Sequence, residues 1–196
     1  PKFLKGKSYR DVAKTINFGL AYGMSYYKLA DTLDISQEKA KEFIDKYFSA
    51  LPKIKAFLTA LGNYGKKHGH IKTFAPFRRI RWFEDHKNLD NLDRKHKFHR
   101  LGEIERASKN TPIQGSGADM IKYALSLLLE HINDCNLHDK VRLVTQVHDE
   151  IGCEVREDFV DNWVETQKFI MELAGKKICK DVAMIVDYSV TDKWSK

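Results

Sequence analysis

No stretch of this 196-residue sequence approaches the roughly 20 consecutive apolar residues that a membrane-spanning helix requires. A membrane partner is therefore not expected. The opening Pro1-Lys2-Phe3-Leu4-Lys5 is not the basic-then-apolar pattern of a secretory leader. Cysteine is scarce. Cys135, Cys153 and Cys179 lack the close spacing of a metal site, and an odd number leaves one over from any disulfide framework, so a reducing compartment is expected. No Gly/Ser-rich linker, internal repeat or low-complexity tract divides the chain. A hydrophobic content of 42% and this length allow one domain or two small ones around a real core.

A local absence is as informative. The net charge is +7, yet between Leu61 and Phe83 there is no Asp or Glu at all. That stretch holds Lys66, Lys67, Lys72, Arg78, Arg79 and Arg81, interleaved with Tyr64, Phe74, Phe77 and Trp82. Cations mixed with aromatics suit a surface that follows a phosphate backbone, and they equally suit a solvated cationic face.

Apolar spacing predicts helices over residues 8–23, 36–50 and 53–67. Short strands are expected over 70–74 and 77–83 around an Ala-Pro turn, with a polar loop over 85–100. Helices resume near Leu101 and again over 113–133, with Pro112 breaking or kinking the path between them. A hairpin over 141–147 and 151–155, a helix over 158–174 and a last strand over 182–190 complete an α+β expectation: helices followed by an antiparallel sheet packed on helices.

In the first helix, Arg10, Lys14, Phe18 and Tyr22 recur every four positions, each step passing a full turn by about 40°. They therefore share one broad stripe, opposite Val12, Ile16 and Leu20. Two cations a turn apart can grip a triphosphate, and an aromatic one turn on can stack on a sugar or base. An ordinary amphipathic helix with solvated cations has the same spacing. Farther on, Glu105-Arg106-Ala107-Ser108-Lys109-Asn110-Thr111-Pro112-Ile113-Gln114-Gly115-Ser116-Gly117-Ala118-Asp119 places Arg106, Asn110 and Gln114 four apart before a Gly-rich segment. Donors of this kind can test base-pair shape through minor-groove acceptors, which every pair offers, without reading sequence. Helix capping around the proline is the simpler use of Asn110 and Gln114. Gln146-Val147-His148-Asp149-Glu150 then sets a carboxylate at the tip of a hairpin, where Mg²⁺, an oxygen-preferring ion, can be held. A solvated acidic turn has the same look.

Read in order, these three strings resemble family A DNA polymerases, the polymerase I type. The resemblance runs over nearly the whole chain and implies a partial right-hand fold: fingers helices over 1–70, a basic strand and loop excursion over 71–100, and C-terminal palm over 101–196. It implies that Arg10 and Lys14 contact the phosphates of the incoming dNTP, with Lys14 also a proton donor to departing pyrophosphate. Phe18 would stack near the sugar and Tyr22 would guard the nascent base pair. Arg106, Asn110, Gln114, Gln146 and His148 would meet primer–template DNA, His148 at the primer 3′ end. Asp149 would be a ligand of catalytic Mg²⁺ and Glu150 a secondary acidic group.

The two-ion site of this family also needs an aspartate from an Asp-Tyr-Ser-x-x-Glu motif ahead of the gripping helix. Here Asp187-Tyr188-Ser189 comes after the hairpin, and it better resembles the family's C-terminal strand with its closing Trp194. The expectation is thus a fingers/palm portion without activity on its own, either a fragment or one subunit of a split polymerase whose N-terminal portion supplies the second carboxylate. A non-catalytic DNA-binding remnant and part of a single-subunit RNA polymerase remain alternatives. The implied location is cytoplasm or nucleoid, or host cytoplasm for a viral protein; an organelle stays open and secretion is not expected.

Overall fold

The computed structural model describes residues 8–193, which divide into two units. The first comprises the segment up to Thr73 with Arg79–Ile113; the second comprises Phe74–Arg78 with the segment from Gln114 onward. The secondary structure is mostly helical with two small antiparallel hairpins.

In the first unit, α1 (Tyr9–Ala21) starts at Ser8, whose Oγ accepts from the Asp11 amide at 3.1 Å. That satisfies one of the orphan donors at the helix start, and the Asp11 carboxylate suits the positive end of the dipole. Ile16 and Leu20 go inward against α2 (Tyr26–Leu33) and α3 (Gln37–Ala50), meeting Leu29, Ala30, Leu33 and Ala40. Apolar periodicity did not reveal α2, because its eight residues are too few to show a repeat. Its Ser25 cap, which accepts from Lys28 N, was the available sequence signal.

Next, α4 (Pro52–His68) begins on a proline, where the missing N–H costs nothing. It leads into β1 (His70–Lys72), paired antiparallel with β2 (Ile80–Trp82). The polar stretch expected as a loop is instead a 3₁₀ segment, Glu84–Asn91, followed by the start of α5 (Arg94–Asp134). Arg100 explains the order: it donates from Nη2 to Asp85 at 2.7 Å and from Nη1 to Glu103 at 2.6 Å. Leu89 also buries with Ile71, Phe83 and Ile104. Nor does α5 break at Pro112. The proline sits inside the helix and is fully buried, so packing offsets the roughly 3 kcal/mol that an interior proline costs.

Lys66 of α4 and Lys109 of α5 both donate to Glu105, at 2.7 and 2.6 Å. Burial pushes the Glu105 carboxyl up, but hydrogen bonds from Lys109 and Lys66 outweigh it and hold the group below the usual carboxylate range. Stability from a depressed carboxyl is present above its unfolded pKa and disappears as pH falls through the folded one. Glu105→Gln is therefore expected to lower Tm at neutral pH, with the gap to the parent closing below about pH 4. Thermal melts of both proteins from pH 3 to 8 check it; a gap unchanged with pH would refute the assignment.

In the second unit, the rest of α5 packs Ala124, Leu128 and Ile132 against β3 (Val141–Val147), β4 (Glu150–Val155) and α6 (Val160–Ile178). Trp163 of α6, only 1% exposed, anchors this core. Its indole N–H donates to Gln167 Oε1 at 2.8 Å, and Gln167 Nε2 donates to the Ile151 carbonyl at 2.9 Å. The buried polar atoms are thus satisfied while α6 is tied to β4. The strand expected over 182–190 does not form. That segment has no strand pairing among the described residues, and Val182, Ile185, Tyr188 and Val190 are exposed. An alternating apolar pattern becomes a strand only where a neighbouring edge offers backbone partners; here the Val186 amide donates instead to the Glu172 carboxylate at 3.2 Å. Trp194, expected as the closing residue, lies outside the described residues.

Candidate functional site

The stripe on α1 forms as its spacing predicts. Arg10, Lys14 and Phe18 are exposed, and they lie on the side of the helix away from buried Ile16 and Leu20. Phe18 and Tyr22 stack with ring centroids 6.1 Å apart and 20° between planes. The helix ends at Ala21, earlier than expected, so Tyr22 is its C-cap rather than part of its body.

That ending fixes Tyr22. Met24 N donates to Gly19 O at 2.7 Å and Gly23 N to Leu20 O at 3.1 Å. This is the paired bonding of a Schellman turn, with Gly23 left-handed at φ 83°. The Met24 side chain closes over Gly19, where a Cβ would meet its Cε at 2.2 Å. A Cβ at Gly23 would lie 3.3 Å from Arg106 Cγ and 3.6 Å from Lys109 Cδ. The turn beneath Tyr22 is thereby pressed onto α5, bringing α1 and Arg106 together within the first unit. Lys109, given no role from sequence, is a spacer here between that turn and Glu105.

Arg106 is exposed, whereas Asn110 is half-buried and its Oδ1 has no hydrogen-bond partner among the described residues. A buried acceptor without a donor is costly unless something supplies one. Gln114, which opens the second unit, is exposed.

The hairpin of the second unit brings together Gln146, His148, Asp149 and Glu150. All four are exposed. Val147 pairs with Glu150, so His148 and Asp149 alone make the turn. The pairing shifts by one between Leu143/Cys153 and Thr145/Gly152, leaving Val144 as the extra residue of a bulge. Without that bulge Gln146 would face Glu150 and the turn would lengthen to Val147–Asp149. His148 takes a positive φ of 54°, which the first position of a tight hairpin demands and histidine tolerates better than most residues. Gln146 Nε2 donates to the His148 carbonyl at 2.7 Å, so the side chain expected to support a duplex also braces the turn that presents Asp149. Hairpin pairing, bulge and amide brace hold one carboxylate outward on a stiff tip.

The DNA polymerase family A model matches residues 5–196. The chain belongs to that family. It is 35% identical over 185 residues to DNA polymerase I of Caldicellulosiruptor bescii, covering 94% of this chain and 20% of that protein. It is 34% identical over 163 residues to the thermostable DNA polymerase I of Thermus aquaticus, covering 83% of this chain and 18% of that protein. Among solved structures it is similar to the POL domain of Pol1 from M. smegmatis in complex with DNA primer-template and dNTP. There the TM-score is 0.72 at 34% identity, over 84% of this chain and 27% of the other. The chain thus spans about a fifth of the length of the curated polymerases it matches.

Proposed function

We propose that this chain is the fingers and C-terminal palm portion of a template-directed DNA polymerase, with residues 1–70 as fingers helices, 71–100 as a basic excursion and 101–196 as palm. The observation that carries the reading is the exposed stripe of Arg10, Lys14 and Phe18 with Tyr22 stacked at its end, in a chain of this family. Arg10 and Lys14 place two fixed cations where triphosphate charge is received. Lys14 holds a proton that the departing pyrophosphate can take. Phe18 offers a ring face to the sugar, and Tyr22 closes the base-pair pocket. Arg106, Asn110, Gln114, Gln146 and His148 hold the primer–template, the free Oδ1 of Asn110 being an acceptor for a donor that the duplex supplies.

Asp149 and Glu150 bring carboxylate oxygens, the donor type that Mg²⁺ prefers. No group of three or more acidic, histidine or cysteine side chains is assembled for a metal among the described residues. The donors fit Mg²⁺ as one side of a shared site, Asp149 holding the ions jointly with a carboxylate from an N-terminal polymerase portion. A Mg²⁺ pair held there would lower the pKa of the primer hydroxyl and stabilise the oxygens of an in-line displacement.

Primer extension tests the proposal. The chain alone is expected to extend nothing, and the chain joined to, or mixed with, the N-terminal portion is expected to add dNTPs as the template directs. Template-independent addition, or none in the combined protein, would overturn it. With Phe18 at the sugar position, the family resemblance further implies rejection of terminators lacking a 3′-hydroxyl. In single-nucleotide incorporation the combined protein should strongly prefer dNTP over ddNTP; equal rates would remove the role given to Phe18.

A further inference from the structure

Two glycines of the first unit face the same side chain. A Cβ on Gly62 of α4 would lie 3.2 Å from Lys109 Cε. One on Gly23, in the turn after α1, would lie 3.6 Å from Lys109 Cδ and 3.8 Å from its Nζ. The stem of Lys109 therefore runs from α5 through the gap between α4 and that turn, against two backbones that carry no side chain there. Its side chain is 17% exposed, little for a lysine. Such a position requires a partner for the ammonium, and Glu105 Oε1 accepts from it at 2.6 Å.

Charge balance does not account for Lys109. Lys66 already donates to the other oxygen of Glu105 at 2.7 Å, so one cation meets one carboxylate without it. What Lys109 adds lies at the turn. Helix α1 has no basic residue in its own last turn. The Lys109 ammonium, from another helix, comes beside Gly23, just past the C-terminal end of α1, where the dipole favours a cation. Met24 closes over Gly19 from within the turn, while Lys109 and Arg106 back Gly23 from α5. Tyr22, which directly precedes Gly23 and stacks on Phe18, is carried by this arrangement.

We propose that Lys109 is a positioning residue for nucleotide addition. Its stem sets the spacing between the turn that carries Tyr22 and α5, so that the nucleotide-gripping side of α1 and the duplex-holding residues of α5 keep one distance. The role deepens the polymerase reading and rests on it. Lys109 acts through Tyr22 and not on the nucleotide itself. Without the stem the turn loses its backing and α1 takes several positions, few of them productive. Apparent dNTP affinity then falls in proportion to the fraction that remains competent. Duplex affinity is unchanged, because Arg106 and Asn110 keep their places on α5.

Single-nucleotide primer extension by the combined, polymerase-competent protein tests this, with duplex affinity and melting temperature measured on the same variants. Lys109→Ala removes stem and charge; it is expected to raise KM for the correct dNTP about tenfold, as when about a tenth of the molecules are competent, with kcat near the parental value. Lys109→Met keeps an unbranched stem, so its KM should rise by no more than about threefold, the share of a helix-end charge. Lys109→Gln, with a stem one atom shorter, should give an intermediate KM, and it replaces Lys109→Ala if that variant does not fold. All three lose the lysine bond to Glu105. Lower melting temperatures with parental KM in all of them would confine Lys109 to that ion pair and overturn the proposal. Equal increases in KM for Lys109→Ala and Lys109→Met would assign the effect to the charge and reject the stem. A loss of duplex affinity matching the rise in KM would make Lys109 a DNA contact instead. No template-directed addition by the parent would overturn the polymerase reading and this role together.

Discussion

Asp149→Asn is expected to reduce primer extension by about 10³-fold or more in the combined, polymerase-competent protein, with duplex affinity unchanged. Removing a single preorganised group that stabilises transition-state charge costs about 10²–10³-fold. In its proposed role as a metal ligand Asp149 would bear on both the attacking and the leaving oxygen, so the loss is expected at or above the top of that range. Asparagine keeps the size and one oxygen of the side chain but removes its charge. The hairpin should survive, because β3–β4 pairing and the Gln146 brace involve backbone atoms on either side of Asp149 rather than its carboxylate. Single-turnover extension with a binding isotherm on the same duplex separates the two effects. Extension within tenfold of the parent would remove Asp149 from the reaction. A parallel loss of binding would make it a structural residue instead.

Gly65→Ala is the second large effect, on stability rather than chemistry. A Cβ at Gly65 would fall 1.8 Å from Ser108 Oγ and 2.8 Å from Ser108 Cβ, with Phe83 at 3.4 Å. Ser108 is fully buried on α5 and its short side chain has nowhere to go, so the helices must separate. Overpacking of this kind costs about 1–3 kcal/mol, which lowers Tm by roughly 2–4 °C per kcal/mol in a protein of this size. The contact also predicts its own repair. Ser108 Oγ has no hydrogen-bond partner among the described residues, so Ser108→Gly forfeits little bonding and opens the space that the new methyl needs. The double variant should therefore melt above Gly65→Ala alone, a non-additivity expected only of residues in contact. Differential scanning calorimetry of the parent, both single variants and the double variant measures it; strictly additive shifts would show that Gly65 and Ser108 do not meet.

Much of this protein was legible in its residues because the signals are local. The stripe Arg10–Lys14–Phe18–Tyr22 needs only 3.6 residues per turn to share a side, and the His148–Asp149 turn follows from alternation on either side of it. The strings around them were sufficient for the family. Where reading failed, the deciding partner was distant. The polar stretch after Trp82 is ordered by Arg100, fifteen positions beyond Asp85. Helix α5 continues through Pro112 because burial outweighs the lost hydrogen bond. The apolar residues of 182–190 imitate a strand that needs an edge to pair with.

The sequence by itself determined the family, the helices with a clear apolar period and the identity of the candidate site residues, all properties of short strings. Only the tertiary structure decided that Arg106 presses on the turn below Tyr22, that Arg100 is held by Asp85 and Glu103 while Arg81 donates to the Thr111 hydroxyl, and that one bulged residue shortens the turn carrying Asp149. These depend on which groups folding brings together, from Asp85 and Arg100 fifteen residues apart to Arg106 and the distant Gly23 turn. A charge's availability is set by the neighbours that folding gives it, and no spacing along the chain records them.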